Sequence, residues 1–318
     1  MEGGILKVIV LSLFDGISCG MEAFKRINIK IDKYYSSEID KYAIQVSRNN
    51  HPEIIQLGDI NNWKSWNIKK PDLILAGCPC QGFSFAGKQL AFNDPRSKLF
   101  FKFVDILNFY NPKYFLLENV RMKKEYQNII SEYLKVEPVL INSALLSAQN
   151  RNRLYWANFE ISQPKDKGIF LKDIIENGIV NRDKSYCIDA SYFKGTSEDI
   201  YFNRKRRQAV FSIASRGRNL VDNKRVDIKG AKTSQRFETK YNKKSNCLTS
   251  VQKDSYIVEN LIIRKLSPLE CERLQTLKDD YTLGISNTQR YKLLGNCWTV
   301  DIISHILKDG LKYKNDKE

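Results

Sequence analysis

Apolar residues in this chain gather into short unbroken runs bounded by Gly, Pro or charged residues, the pattern of strands buried on both faces of a parallel sheet. Such runs occur at Lys7 to Leu13 (KVIVLSL), Lys33 to Ser37, Glu53 to Leu57, Pro71 to Gly77, Tyr114 to Leu117, Val136 to Asn142 and Leu154 to Asn158. Between them lie stretches with helical spacing: Ala23, Phe24 and Ile27, then about Asp40 through Asn49, then Lys98 through Tyr110. Strand alternating with helix predicts an α/β fold, a mostly parallel sheet covered by helices on both sides. Past Lys165 the runs shorten and charge rises until about Asp254. A clear helix start then returns at Ser267-Pro268-Leu269-Glu270, with Ser at the cap, Pro in the first position and Glu in the third. This divides the chain into 1–164, 165–261 and 262–318.

In an open α/β sheet, ligands bind outside the carboxyl ends of the strands, so residues just past each run are the candidates for chemistry. The first run leads into Phe14-Asp15-Gly16-Ile17-Ser18-Cys19-Gly20, a strand, glycine turn and helix that opens a nucleotide-binding unit without the full dinucleotide fingerprint. The second ends at Glu38, beside Ile39, where a carboxylate can take both hydroxyls of a ribose. The third ends at Gly58-Asp59-Ile60. The fourth leads into Gly77-Cys78-Pro79-Cys80-Gln81-Gly82-Phe83-Ser84-Phe85, which presents a soft nucleophile where substrates arrive. The polar, glycine-bearing loop that follows, through Lys88 to Ser97, is long enough to close over a bound base. Glu118 ends the fifth run, and a carboxyl there, once protonated, can donate to a ring nitrogen. In an extended Gln149-Asn150-Arg151-Asn152-Arg153 segment, alternate side chains share a face, so Gln149, Arg151 and Arg153 are expected to project together.

These residues, in this order, resemble the motifs of the cytosine-5 DNA methyltransferases. The resemblance covers roughly 1 to 160 and 262 to 310. It implies a Rossmann-like, S-adenosylmethionine-dependent methyltransferase fold with a smaller basic target recognition domain inserted at 165–261, and a final segment that returns to the cofactor pocket. Cys80 would be the thiolate that attacks C6 of a flipped cytosine, Glu118 the donor to N3, Arg153 the contact to the cytosine carbonyl, and Arg151 a buttress for the glutamate or the sugar-phosphate backbone. Phe14 would stack on adenine, with Gly16 and Ile17 wrapping the methionine end. Glu38 and Ile39 would hold the ribose and neighbouring ring, Asp59 the adenine amino group, and Ile60 the ring face. Pro79, Leu99, Asn296 and Trp298 would complete that pocket. Gln81, Ser84 and Lys88 would face DNA, as would Thr249 in Ser245-Asn246-Cys247-Leu248-Thr249, where the family has Thr-Leu and this chain has Leu-Thr. The first motif opens Ser12-Leu13-Phe14 where most members have Asp-Leu-Phe. The last reads Gly295-Asn296-Cys297-Trp298-Thr299-Val300 where most have Gly-Asn-Ser-Val. Both forms are closest to the eukaryotic de novo group.

Charge agrees with a polyanionic partner. The chain carries a net +16, of which 21 Lys and Arg against 11 Asp and Glu lie between Lys165 and Asp254. The cluster Arg204-Lys205-Arg206-Arg207, with Arg216, Arg218, Arg225 and Arg236, is interleaved with Tyr201, Phe202, Phe211 and Phe237, so double-stranded DNA is expected to contact Arg204, Arg206 and Arg207. Seven Cys, an odd number without paired ligand spacing, and only His51 and His305 predict reduced thiols and no metal. No apolar run approaches 18 residues, and the start lacks a signal-peptide pattern, so a soluble, cytoplasmic protein with no membrane partner is expected. A monomer and a cognate restriction endonuclease go with the resemblance. Two rivals remain: a tRNA methyltransferase of the same family, which would keep every catalytic residue, and a non-catalytic DNA-binding paralogue, which would lose the Pro-Cys pair or the Glu that are both present here. The Pro-Pro-Tyr or Pro-Pro-Phe loop of amino-methylating enzymes is absent.

Overall fold

The computed structural model describes residues 8–79, 98–197, 199–213, 219–221, 224–226 and 261–312. Cys80, Gln81, Ser84 and Lys88, the Arg216, Arg218, Arg236 and Phe237 positions, and the Ser245 to Thr249 segment lie outside the described residues.

The strands are β1 (Val8–Leu13), β2 (Ile31–Ser37), β3 (Ile55–Gln56), β4 (Leu73–Gly77), β5 (Tyr114–Val120), β6 (Val139–Asn142) and β7 (Asn152–Ala157). They form one seven-stranded sheet in the order β3-β2-β1-β4-β5-β7-β6. The strands from β3 to β5 in that order pair in parallel, β7 runs antiparallel to β5, and β6 antiparallel to β7. The five parallel strands therefore share one carboxyl edge, and the Leu13↔Ala76 and Gly77↔Glu118 registers bring β1, β4 and β5 level there. The third strand is shorter than the apolar run suggested. The Ile54 N–H bonds the His51 carbonyl at 3.2 Å, a turn that keeps Ile54 out of the ladder.

Alternation along each strand explains why the runs are unbroken. Val8, Val10, Leu73, Leu75 and Leu116 point into one core, while Leu11, Leu13, Ile74, Ala76 and Leu117 point into a second on the other face. Helices α1 (Cys19–Arg26), α2 (Lys41–Asn50), α5 (Pro268–Leu274), α6 (Asn287–Asn296) and α7 (Val300–Lys312) supply residues to the first core. Helices α3 (Lys98–Tyr110) and α4 (Lys124–Leu134) cover the second through Phe100, Phe103, Ile106, Tyr126, Ile130 and Leu134. The Ser267 side chain and the Glu270 carboxylate cap α5 reciprocally, with Pro268 inside the first turn, as the sequence predicts.

Leu171, Ile174, Ile188, Tyr192 and Val210 belong to the first core, so the segment after Lys165 begins by packing on the sheet domain. Strand β8 (Ala209–Ile213) then pairs antiparallel with β11 (Leu261–Lys265). Strands β9 (Asn219–Val221) and β10 (Lys224–Val226) pair antiparallel. Tyr201, Ala209 and Phe211, flanked by Tyr186 and Ile263, form a separate small cluster. Tyr201 and Phe211, expected as part of an exposed basic and aromatic face, are buried here, and only Phe202 of the three is exposed. Among the described residues no helix is long and apolar enough to cross a membrane.

Candidate active site

The turn after β1 is held in an uncommon backbone shape. Phe14, Gly16 and Ser18 all have positive φ, at 56°, 59° and 61°, and for the two residues with side chains this costs on the order of 1–3 kcal/mol each unless the surroundings enforce it. Enforcement comes from Asp15, whose buried carboxylate accepts from Ser18 Oγ at 2.5 Å and Tyr34 Oη at 2.8 Å, and whose N–H donates to the Ser37 carbonyl. Burial pushes the Asp15 carboxyl up, and the hydroxyl donors around it work against that rise. The Gly16 N–H donates to Glu38 Oε2 at 2.8 Å, while Glu38 Oε1 accepts from the Ile39 and Asp40 N–H groups at 2.7 and 2.8 Å. Three donors thus fix the Glu38 carboxylate at the end of β2, and its remaining lone-pair capacity is open to a ligand hydroxyl.

A relay supports the same turn from behind. Lys25 Nζ can only donate, so His51 Nδ1 accepts from it at 2.7 Å and Nε2–H donates to Tyr281 Oη at 3.0 Å. Tyr281 in turn donates to the Ile17 carbonyl at 2.8 Å. Burial, then the Lys25 charge, push His51 down to about 4, which keeps this tautomer neutral. Nothing in the local sequence around His51 or Tyr281 signals this, because the contact joins residues 230 positions apart.

Other expected pocket residues are less uniform. Phe14 is half-buried, and Ile39 beside Glu38 is 72% exposed, a large apolar side chain left facing solvent. Asp59 caps a short 3-10 helix (Ile60–Ser65) through Oδ1, which accepts from Asn61. Ile17 and Ile60 are buried, one in each core. Pro79 and Leu99 are half-buried, and Asn296 at the end of α6 is exposed.

Glu118 lies one strand from the Cys78-Pro79 segment, opposite Gly77 on β4 and opposite Tyr155 on β7. Arg153 is two residues from Tyr155, on the same face and diagonal to Glu118, a spacing that long side chains bridge. Its Nε meets Glu118 Oε1 at 2.8 Å. The other oxygen, Oε2, accepts from the Trp298 indole N–H at 3.1 Å. Cys78 is a buried thiol, held protonated by burial and then by the Glu118 charge, so it is inert as a nucleophile.

The Gln149, Arg151 and Arg153 side chains do not act together. β7 begins only at Asn152, so the alternation expected of an extended strand does not reach back to Gln149. Gln149 is buried and bonds the Leu274 carbonyl and the Ile188 N–H. Arg151, expected to buttress the glutamate or the DNA backbone, instead donates to the carbonyls of Ile188 (3.1 Å), Gly295 (3.2 Å) and Cys297 (2.9 Å). It clamps the end of α6 to the start of β7, and among the described residues it makes no bond to Glu118.

The basic cluster also divides. Arg204 and Arg206 are 68% and 62% exposed, paired with Asp199 at 2.8 Å and Asp189 at 3.9 Å. Arg207 turns inward at φ 52°, donating to the Gly195 carbonyl and Ser191 Oγ, which makes it a loop brace where a phosphate contact was expected. Among the described residues no cluster of His, Cys, Asp and Glu could hold a metal ion.

A mostly parallel sheet of this order defines an α/β fold of the kind in which ligands bind outside the carboxyl ends of the strands. Residues 8–312 match the model of the C-5 cytosine-specific DNA methylase family, and the chain belongs to that family. Its enzyme class is therefore that of the DNA (cytosine-5) methyltransferases. The chain is 31% identical to the type II methyltransferase M.NgoBI of Neisseria gonorrhoeae, covering 91% of this chain and 87% of that one. It is 28% identical to the type II methyltransferase M1.ScrFI of Lactococcus lactis subsp. cremoris, over 96% and 78%. Among solved structures, the methyltransferase EhMeth of Entamoeba histolytica superposes with a TM-score of 0.67 at 17% identity, covering 98% of this chain and all of that one, which bears out the fold.

Proposed function

We propose that this protein transfers a methyl group from S-adenosylmethionine to C5 of a cytosine flipped out of duplex DNA at a particular sequence, through a covalent bond between Cys80 Sγ and C6. The observation that carries the reading is the Glu118 carboxylate, buried at the sheet's carboxyl edge opposite Gly77, three positions before Cys80 in sequence, and gripped by Arg153 and Trp298. Glu118 in its protonated form donates to N3, which draws electrons from C6 as the Cys80 thiolate adds there and leaves C5 electron-rich. After methylation the C5 proton departs as a proton and the Cys80–C6 bond breaks, restoring the aromatic ring and the thiolate. Arg153, with its other nitrogens free of Glu118, is suited to the cytosine carbonyl.

The residues at the ends of β1 to β3 fit S-adenosylmethionine: a carboxylate fixed by three N–H groups for a ribose diol, an Asp for an exocyclic amine, and Phe14 and Ile39 for a flat ring. When bound, it supplies the electrophilic methyl group. The insertion at 165–261 is assigned to target recognition, with Arg204 and Arg206 on phosphates and the Gln81, Ser84, Lys88 and Thr249 positions near the flipped base and its neighbours. A monomer acting on DNA, with or without a companion endonuclease, completes the reading.

The test is methyl incorporation from labelled S-adenosylmethionine into duplex DNA, followed by bisulfite sequencing of DNA from cells that express the protein. A single modified cytosine context is expected. Incorporation into tRNA with none into DNA would replace the substrate, and incorporation into neither would remove the function.

A further inference from the structure

We propose that Trp298 is a positioning residue for Glu118, distinct from the pocket-wall role expected of its motif. The inference rests on Glu118 as proton donor. The indole N–H can only donate, so its 3.1 Å bond occupies one lone pair of Oε2 and leaves the others to carry the catalytic proton. With Arg153 Nε on Oε1 at 2.8 Å, the carboxyl group has one rotational setting. The residues on both sides of Trp298 are anchored. Arg151 holds the Cys297 carbonyl on one side at 2.9 Å, and Thr299 Oγ1 donates to Gln275 Oε1 at 2.9 Å on the other. Both Trp298 and Glu118 are 8% exposed, so water does not compete for the bond.

Gly77 lets the ring sit close. A Cβ there would lie 3.0 Å from the Trp298 Nε1, 3.2 Å from Cζ2 and 3.3 Å from Cε2, so the ring rests on bare backbone at the register position opposite Glu118, and a side chain there would push it by a few tenths of an ångström. The three features, an indole N–H, a side-chain-free Gly77 and a carboxylate opposite it, work as one unit.

The experiment is a double-mutant cycle on the intact protein, read as the rate of covalent adduct formation with duplex DNA carrying 5-fluorocytosine. Trp298→Phe keeps the ring and removes the N–H. It is expected to slow adduct formation by about 10- to 100-fold, the rate equivalent of one hydrogen bond to a charged group, with cofactor and DNA affinity within about twofold of wild type. In a Glu118→Gln background the same change should add less than about twofold. Gly77→Ala, which crowds the ring, should slow the wild type and again add little to Glu118→Gln. The indole proton of Trp298, one of four in the chain, should shift in Glu118→Gln by ¹H–¹⁵N correlation while the other three stay in place. Penalties that multiply in the Glu118→Gln background, or a loss of cofactor affinity that accounts for the slowing, would overturn the positioning role alone. A Glu118→Gln variant as fast as wild type would instead remove the proton-donor reading, and the inference with it.

Discussion

The carboxyl edge of the sheet and the basic segment around Arg204 hold charge in opposite ways. At the edge, Glu118 is buried and held on both oxygens, and Glu38 is fixed by three backbone donors. Around Arg204, the guanidinium groups of Arg204 and Arg206 stay more than half exposed, each with a single acidic neighbour. Buried charge with fixed partners is expensive to assemble but needs no rearrangement when a reaction develops charge beside it. Exposed charge reorganises easily and neutralises phosphates by releasing counterions, an effect that salt erodes. The first region suits chemistry and the second affinity, so changes in the two should separate rate from binding.

The sharpest separation comes from the nucleophile. Cys80→Ser should lose methyl transfer below detection and keep DNA affinity within a few-fold, because a hydroxyl has nearly the thiol's shape and far less nucleophilicity. Labelled-methyl incorporation and a gel-shift titration on the same preparation check both halves.

Arg151 and Arg153 sharpen the contrast inside the edge itself. Arg151→Met removes the donors to the Ile188, Gly295 and Cys297 carbonyls and should lower stability by on the order of 3 kcal/mol, seen as a fall in the urea midpoint. Arg153→Met leaves the buried Glu118 carboxylate without its cation, so it should also lower the midpoint, but in the folded protein it should reduce turnover far more than Arg151→Met does. Equal turnover in the two folded variants would mean that both arginines are structural.

At the cofactor end, Glu38→Ala is expected to weaken S-adenosylmethionine binding by about 1.5 to 3 kcal/mol if the carboxylate takes the ribose hydroxyls. Calorimetry measures this directly, and DNA affinity should not move. Unchanged cofactor affinity would confine Glu38 to bracing the Gly16 turn.

The smallest effect belongs to the basic segment. Neutralising Arg204 and Arg206 together should flatten the slope of log affinity against log salt by up to about 0.9 for each phosphate left without its cation, with turnover at saturating DNA unchanged. Arg207→Ala should leave that slope alone and loosen the loop that Arg207 braces through Gly195 and Ser191.

Much of the fold was legible because a sheet buried on both faces writes itself as unbroken apolar runs, and the Lys98 to Tyr110 helix and the Ser267 cap carry their own local signals. The third strand misled because Ile54 is apolar for core packing while its N–H serves a turn. The candidate site reads in sequence as a row of strand ends. What stayed hidden were the contacts that join distant parts of the chain: the Arg151 clamp on α6, the Tyr281 bond to Ile17, and the Trp298 bond to Glu118 across 180 residues. Sequence spacing orders side chains along one element, and such contacts depend on how elements close against each other. Arg207 shows the same limit at short range, since one positive φ turns a residue of a basic run inward.

The central claim is a covalent attack by Cys80 assisted from the sheet edge, and trapping tests it most directly. Duplex DNA carrying 5-fluorocytosine, incubated with the protein and S-adenosylmethionine, should yield a protein–DNA adduct that survives denaturation, because fluorine at C5 cannot leave as a proton leaves. The same incubation with Cys80→Ser should yield none. An adduct of equal yield in the Ser variant would contradict the account, placing the nucleophile elsewhere in the chain.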